Sequence, residues 1–145
     1  MLVVATGLQC RWEQIEGLNE SLGSHGVCSN YSKDFAPYTW QSIQAFRGGN
    51  AVFTMPATPV KCGGAPQKVM YMADDVFKGK SGVGVNSRVI FCTPLRTLFA
   101  VPAYARTLQQ VVRRRGIEVR FGWELKAVRG PEQVAVFDVH EADGS

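Results

Sequence analysis

Residues 50–68 constrain the fold of this chain more than any other stretch. They open with a short apolar run, 51–55, which is bounded by glycine and proline and predicts a buried strand. A loop rich in proline and glycine follows. Pro66 then stands where a first helical residue is favoured, and the pattern predicts a helix over 67–78. Strand, loop and helix in this order begin an α/β unit of the nucleotide-binding kind, but here the loop carries Cys62.

The remainder of the chain continues the alternation of strands and helices. Short apolar runs predict strands, three- and four-residue spacing predicts a second helix, and two alternating segments joined by Gly-Pro-Glu predict an antiparallel pair. These are a strand over 88–92, a helix over 102–115 with Tyr104, Leu108, Val111 and Val112 on its inner face, a strand over 117–121, and the pair 125–129 and 133–139. The order predicts an α/β fold: a Rossmann-like βαβαβ unit with an appended antiparallel ribbon.

The first 48 residues are less regular. Residues 2–5 predict a buried strand at the very start of the chain, which indicates a piece of a larger protein. Residues 8–29 predict loops, because three glycines interrupt any long period. Residues 31–46 predict a helix with Pro37 in its first turn, where the missing N–H is tolerated.

Composition bounds the class of protein. The 145 residues are 46% hydrophobic and 19% charged, as in an ordinary globular domain. No run of eighteen apolar residues is present, and the N-terminus lacks the basic leader of a signal peptide. The formal charge of +4 is too small to indicate a nucleic-acid partner. Residues 76–117 contain no Asp or Glu, which predicts either a solvated basic face or a surface for a cofactor phosphate or an anionic membrane.

The cysteines, Cys10, Cys28, Cys62 and Cys92, form no Cys-x-x-Cys pair. With only two histidines in the chain, this spacing argues against a metal site and against a dense disulfide framework. A buried, inert thiol is the default interpretation for each cysteine. Cys92, at the end of a strand, is predicted to lie in the core, whereas Cys28 lies in a glycine-flanked loop that could approach Cys62 in the fold.

A nicotinamide dinucleotide is the ligand that the topology first suggests, but the loop does not fit it. The Gly-x-Gly-x-x-Gly fingerprint is missing after the first strand, and two prolines remove backbone donors that would hold phosphate. No acidic residue follows the second strand to bind ribose hydroxyls. The pair Gly82 and Gly84 precedes a strand and is interpreted as a hinge. Nicotinamide binding is therefore disfavoured.

Cys62 is the candidate for chemistry. It lies just ahead of a predicted helix N-terminus, between Lys61 and Lys68, and both the helix dipole and the lysines favour thiolate over thiol. A thiolate attacks sulfur or a flavin ring. Gly63-Gly64 would leave room for a flat ligand. The alternative is a small apolar side chain that fills the loop, and the spacing alone leaves both interpretations open.

At these residues the chain resembles the sulfide:quinone oxidoreductase family, in its mitochondrial-type branch. The family belongs to the flavoproteins with two dinucleotide-binding domains. The resemblance rests above all on residues 58–68, with Met70-Tyr71, and continues through residues 5–7, 15–18, 28–32, 104–105 and 133–137. An eleven-residue motif around a cysteine is far more specific than a glycine pattern. The resemblance covers essentially the whole chain.

The resemblance implies a reaction. Sulfide is oxidised to sulfane sulfur, and electrons pass through FAD to a membrane quinone. It implies that Cys62 forms a redox disulfide with a second cysteine near the family's C-terminus, and it matches Cys28 to a further cysteine near the flavin of the bacterial-type branch. It assigns Lys68, with Thr6, Gly7 and Pro59, to FAD binding. Cys28 beside a mitochondrial-type motif departs from the family pattern.

The resemblance also divides the chain into two parts. Residues 1–48 match the end of the FAD domain with a connecting helix, and residues 49–145 match the second, NADH-domain-like unit, which carries the redox cysteine. The glycine fingerprint for FAD, the partner cysteine and the membrane-touching tail are not in this sequence. We therefore expect a soluble segment that holds no FAD stably and is inactive alone, from an enzyme peripheral to the inner or cytoplasmic membrane.

Other classes remain open at this point. One alternative is a flavocytochrome c sulfide dehydrogenase-like or NADH:quinone oxidoreductase-like domain, although the NADH enzyme would need the missing glycine fingerprint. The other is a Rossmann-type binding domain that performs no catalysis.

Overall fold

The computed structural model describes residues 1–79 and 86–140. In chain order the elements are a 3₁₀ turn at Trp12–Gln14, α1 Leu18–Ser21, α2 Ala36–Ala45, β1 Gly49–Thr54, α3 Ala65–Lys78, β2 Ser87–Thr93, α4 Pro102–Arg114, β3 Glu118–Phe121, β4 Trp123–Arg129 and β5 Val134–Val139. The hinge predicted at Gly82 and Gly84 lies outside the described residues.

Strands β1, β2 and β3 form a parallel sheet in that order, and β4 and β5 form a separate antiparallel pair. This confirms the mixed α/β architecture and the ribbon. Both crossovers of the sheet run in the same direction, so right-handed connections place α3 and α4 on the same face. The carboxyl ends of all three strands lie at one edge, which is where ligands bind in sheets of this type.

The main core lies between this face of the sheet and its helices. Its buried members come from α3, β2, the loop after β2, α4 and the turn before β3: Met70, Ala73, Phe77, Val89, Phe91, Leu98, Val112 and Ile117. Ile43 of helix α2 and Phe46, which directly follows the helix, pack against this core, and the rings of Phe46 and Phe77 are 4.5 Å apart. The first part of the chain therefore packs against the second.

The antiparallel ribbon of β4 and β5 forms a backbone hydrogen bond with the segment that precedes α1. The Val128 N–H donates to the Glu16 carbonyl at 2.8 Å. Gly17 has φ +71°, and a Cβ there would lie 2.1 Å from the Val128 carbonyl oxygen. Only glycine fits this close approach of two backbones.

Four expectations are wrong in detail. Residues 2–5 form no strand, and Leu2 is 87% exposed, because no described strand pairs with them. β1 is an edge strand with Val52 exposed, so the apolar run 51–55 is only half-buried.

The other two corrections concern helices. α2 begins at Ala36 rather than at residue 31, although Pro37 does fall in its first turn. Tyr104 is 62% exposed, because the inner face of α4 runs through Leu108 and Val112.

Within the described residues, no helix is both long enough and apolar enough to cross a membrane.

Candidate functional site

The loop between β1 and α3 presents Cys62 at the carboxyl edge of the parallel sheet. α3 begins at Ala65 with Pro66 in its first turn, as the sequence predicts, and its N-cap residue, Gly64, has no side chain to cap the helix. Cys62 is exposed and unbridged, three residues ahead of the helix. The loop thus places a solvent-accessible thiol next to the backbone N–H groups of a helix start.

Those donors set the ionisation of Cys62. Hydrogen bonds from the backbone N–H groups of Gly64 and Ala65 lower the pKa of the Cys62 thiol, and the nearby Lys68 ammonium lowers it further. Slight desolvation opposes these effects without cancelling them. The direction predicted from the sequence is therefore confirmed, with the backbone as its main cause. Such a thiol carries more thiolate near neutral pH and is a better nucleophile than an ordinary cysteine.

Phe99 lies beside the two glycines that follow Cys62. A Cβ on Gly63 or on Gly64 would be 4.0 Å from the edge of the Phe99 ring, and neither glycine has a positive φ. The space on this side of the loop is therefore lined by an aromatic ring of the same chain.

Tyr31 connects the N-terminal part of the chain to the loop. Its hydroxyl donates to the Cys62 carbonyl at 3.2 Å. Partial burial raises the pKa of Tyr31, and the nearby Cys62 and Cys10 thiols raise it further, so the hydroxyl stays protonated as a donor. Sequence reasoning gave Tyr31 no role, although it belongs to the 28–32 motif that carries part of the resemblance.

Cys28 has different surroundings from Cys62. It is half-buried, its thiol donates to the Gly26 carbonyl at 3.5 Å, and the hydroxyls of Thr39 and Ser42 on α2 also contact it. Burial raises the pKa of the Cys28 thiol more than these hydrogen bonds lower it. Both Cys28 and Cys62 are free thiols, and no contact between them is found among the described residues.

Cys92 is the core cysteine that the sequence predicts. It is 1% exposed in β2, and burial raises its pKa to about 11. It is a packing residue.

The residues that the resemblance assigns to FAD are all exposed. Lys68 is exposed on the first turn of α3, next to the loop, and Pro59 is exposed within the loop. Thr6 and Gly7 lie in the exposed N-terminal segment, and nothing is within 4 Å of the position of a Cβ on Gly7. Among the described residues, no group of three or more His, Cys, Asp or Glu could hold a metal ion.

Two polar side chains that sequence reasoning missed hold α3 in place. Gln67 is 2% exposed; its amide donates to the Leu98 carbonyl and accepts from the Tyr71 hydroxyl at 3.3 Å. Asp74 is fully buried, and Arg115 donates to it at 2.9 Å. The Lys78 ammonium lies 2.7 Å from the other Asp74 oxygen, close enough for an ion pair but without hydrogen-bond geometry. Gln67 lies within residues 58–68, the motif around Cys62, and this position in the motif is the sequence signal that could have indicated a role for it.

Fold and site together define a Rossmann-like α/β unit with an exposed thiol of lowered pKa just ahead of its first crossover helix. No protein-family profile matches the sequence. Individual proteins do match. The mitochondrial sulfide:quinone oxidoreductase of Mus musculus is 42% identical over 143 residues, covering 99% of this chain, and that of Dictyostelium discoideum is 38% identical, covering 98%. The resemblance to sulfide:quinone oxidoreductases is thereby confirmed.

The match covers only part of those relatives. The chain spans about a third of their length, 32% and 31%. The solved sulfide:quinone oxidoreductase of Aquifex aeolicus superposes with a TM-score of 0.70 at 18% identity, over 91% of this chain and 30% of that one. A chain in the structure of the Tetrahymena thermophila mitochondrial ATP synthase superposes with a TM-score of 0.74 at 22% identity, over 92% and 34%. At these identities the superpositions support the fold alone.

Proposed function

We propose that this chain is the redox-cysteine segment of a sulfide:quinone oxidoreductase, with Cys62 as its sulfur-reactive thiolate. One observation carries the proposal: Cys62 is exposed at the start of α3, and the backbone donors there lower its pKa. In this proposal residues 1–48 are the remnant of an FAD domain with its connecting helix, and residues 49–145 are the second dinucleotide-binding-type domain.

The proposed cycle begins with a disulfide between Cys62 and a second cysteine in the longer polypeptide. Hydrosulfide attacks one sulfur, the S–S bond breaks, a persulfide forms on one cysteine and the other leaves as a thiolate. The lowered pKa of Cys62 suits it to leave as a thiolate. Transfer of the sulfane sulfur to an acceptor leaves two thiolates. Their reoxidation to the disulfide releases two electrons.

FAD, when bound in the longer polypeptide, would accept those two electrons and pass them to a membrane quinone. Lys68 fits this assignment, because it is an exposed cation beside the thiol and would stabilise a reduced, anionic flavin. Thr6, Gly7 and Pro59 are assigned to FAD by resemblance alone, and the glycine fingerprint that would bind the FAD pyrophosphate is not in this sequence. We therefore expect the purified 145-residue chain to show no flavin absorbance.

Persulfide mapping tests the role of Cys62. The chain is treated with inorganic polysulfide, a donor of sulfane sulfur, and each cysteine is examined by mass spectrometry. The Cys62 thiolate attacks a polysulfide sulfur and keeps it as a persulfide, and a shorter polysulfide leaves. We expect Cys62 to be labelled first, and Cys62→Ser to remove this early product.

In the longer polypeptide, we expect Cys62→Ser to abolish sulfide-dependent quinone reduction, while Cys92→Ala retains it. Equal labelling of Cys62 and Cys28 in the isolated chain would instead favour a binding domain without catalysis. Retained quinone reduction by Cys62→Ser would contradict the proposed role directly.

A further inference from the structure

Tyr31 reaches the cysteine loop from a distant part of the chain. Its hydroxyl donates to the backbone carbonyl of Cys62 at 3.2 Å, across 31 positions of the sequence. The bond is made to the backbone and not to the thiol, so it acts on the conformation of the loop. That conformation directs the N–H groups of Gly64 and Ala65, whose hydrogen bonds favour the thiolate.

The turn between Cys62 and α3 needs an external restraint. The Cys62 carbonyl belongs to the planar peptide that joins Cys62 to Gly63. Gly64 follows, and two successive glycines leave the backbone a wide choice of conformations. Both N–H donors to the sulfur come after this first peptide. A hydrogen bond that fixes the peptide therefore restricts the direction of the donors that follow it.

The Ala65 N–H is shared between two acceptors of the same residue. It donates to the Cys62 carbonyl at 3.2 Å, and it also bonds to the Cys62 sulfur. The carbonyl oxygen has two lone pairs, and the Tyr31 hydroxyl occupies part of that capacity. Loss of the Tyr31 hydroxyl would therefore shift the shared N–H toward the carbonyl and away from the sulfur.

Helix α2 fixes the segment that carries Tyr31. The Tyr31 N–H donates to the Ser29 hydroxyl at 3.2 Å, and the Thr39 hydroxyl of α2 donates to the Ser29 carbonyl at 3.3 Å. Thr39 is buried, and Ile43, one turn further along α2, packs against the main core. The position of Tyr31 is thus set by a packed helix and not by the loop that Tyr31 contacts.

We propose that Tyr31 is a positioning residue for Cys62: it holds the peptide after Cys62 so that two N–H groups at the start of α3 stay on the sulfur. The proposal rests on the proposed function, because the thiol that Tyr31 positions is the sulfur-reactive one. Burial raises the pKa of Tyr31, so its hydroxyl is neutral at neutral pH and acts through hydrogen bonding alone. The cations Lys61 and Lys68 are unchanged when Tyr31 is replaced.

The pH dependence of Cys62 alkylation in the 145-residue chain tests the proposal. Tyr31→Phe removes one hydroxyl and no charge. We expect the alkylation rate of Cys62 at neutral pH to fall about threefold, a fraction of the net free energy of one hydrogen bond. The plateau rate at high pH, where the thiol is fully ionised, should equal that of the unsubstituted chain. A lower rate at neutral pH with an equal plateau means a midpoint at higher pH.

Tyr38→Phe is the matched control. It removes a hydroxyl from α2 that accepts from the Gly26 N–H at 2.9 Å, a bond that does not involve the cysteine loop. We expect it to leave the profile of Cys62 unchanged. An unchanged profile in Tyr31→Phe, an equal change in Tyr38→Phe, or a loss of rate that persists on the plateau would overturn the proposal.

These outcomes are distinct from a failure of the proposed function. Alkylation involves no sulfur donor, flavin or quinone, so it reports the ionisation and access of the Cys62 thiol alone. The proposed function is overturned instead by the persulfide and quinone assays on Cys62→Ser described above.

Discussion

The two ends of α3 differ in the exposure of their residues and in the contacts that these residues make. At the amino end Cys62 is exposed, and hydrogen bonds from the backbone N–H groups of Gly64 and Ala65 lower the pKa of its thiol. At the carboxyl end Asp74 is fully buried, and its oxygens meet Arg115 and Lys78. Phe77, one turn further on, packs in the core.

The residues of α3 that stabilise the fold are therefore different from those that set the reactivity of Cys62. The buried Asp74 and Gln67 hold α3 against its neighbours, so the start of the helix, with the donors that bond Cys62, is fixed in position. A rigid helix start is a preorganised environment for an anion. The thiolate is favoured because its hydrogen-bond donors are in place before it forms.

Loss of Asp74 should have the largest effect on stability. Asp74→Ala removes the buried carboxylate that accepts from Arg115 and pairs with Lys78, and we expect a loss of about 2.5 kcal/mol in the free energy of unfolding. Asp75→Ala is the matched control: Asp75 pairs with the same Arg115 at 2.6 Å, but its side chain is 66% exposed. That change should cost about 0.5 kcal/mol or less. Urea unfolding measures both, and equal losses would show that burial does not distinguish the two carboxylates.

Loss of Gln67 should have the next largest effect. Gln67→Leu leaves the buried Leu98 carbonyl without its donor and removes the bond from Tyr71, so we expect a loss of about 2 kcal/mol. Tyr71→Phe removes only the second of these bonds and should cost about 1 kcal/mol or less. If the two variants unfold at the same urea concentration, the amide of Gln67 does not anchor the helix.

The smallest effect concerns the lysines that flank Cys62. Lys68→Gln should raise the midpoint of Cys62 alkylation slightly, because one nearby positive charge is lost and the backbone donors remain. Lys61→Gln serves as the comparison, since Lys68 is the cation that lowers the pKa of Cys62. A larger rise in Lys61→Gln than in Lys68→Gln would reverse this assignment. Both midpoints come from the pH dependence of the alkylation rate.

Local signals account for the parts of the fold that the sequence predicts well. Pro66 fixes the start of α3, and a run of consecutive apolar residues marks β2 as a central strand. The proline-started helix and the flanking lysines, Lys61 and Lys68, are also enough to predict the direction of the pKa shift of Cys62. These features depend on residues close together in the chain.

Features that depend on distant partners could not be predicted. Arg115 reaches Asp74 across 41 positions, and the Gln67 partner at Leu98 lies 31 positions away. Residues 2–5 have the composition of a strand but find no partner among the described strands, and composition alone cannot supply one. Cys28 could not be placed from the sequence. The structure sets it against α2 rather than in contact with Cys62.

The most direct test of the account is the pH dependence of alkylation at Cys62 and Cys28 in the same sample, resolved by mass spectrometry. A lowered pKa means that the rate at Cys62 rises and reaches its plateau at lower pH than for an ordinary thiol of pKa about 8.5. For Cys28, whose pKa is raised, the rate should still be rising above that value. The account predicts two separate midpoints, with that of Cys62 the lower. A Cys62 midpoint at or above the ordinary value, or one equal to that of Cys28, would contradict it.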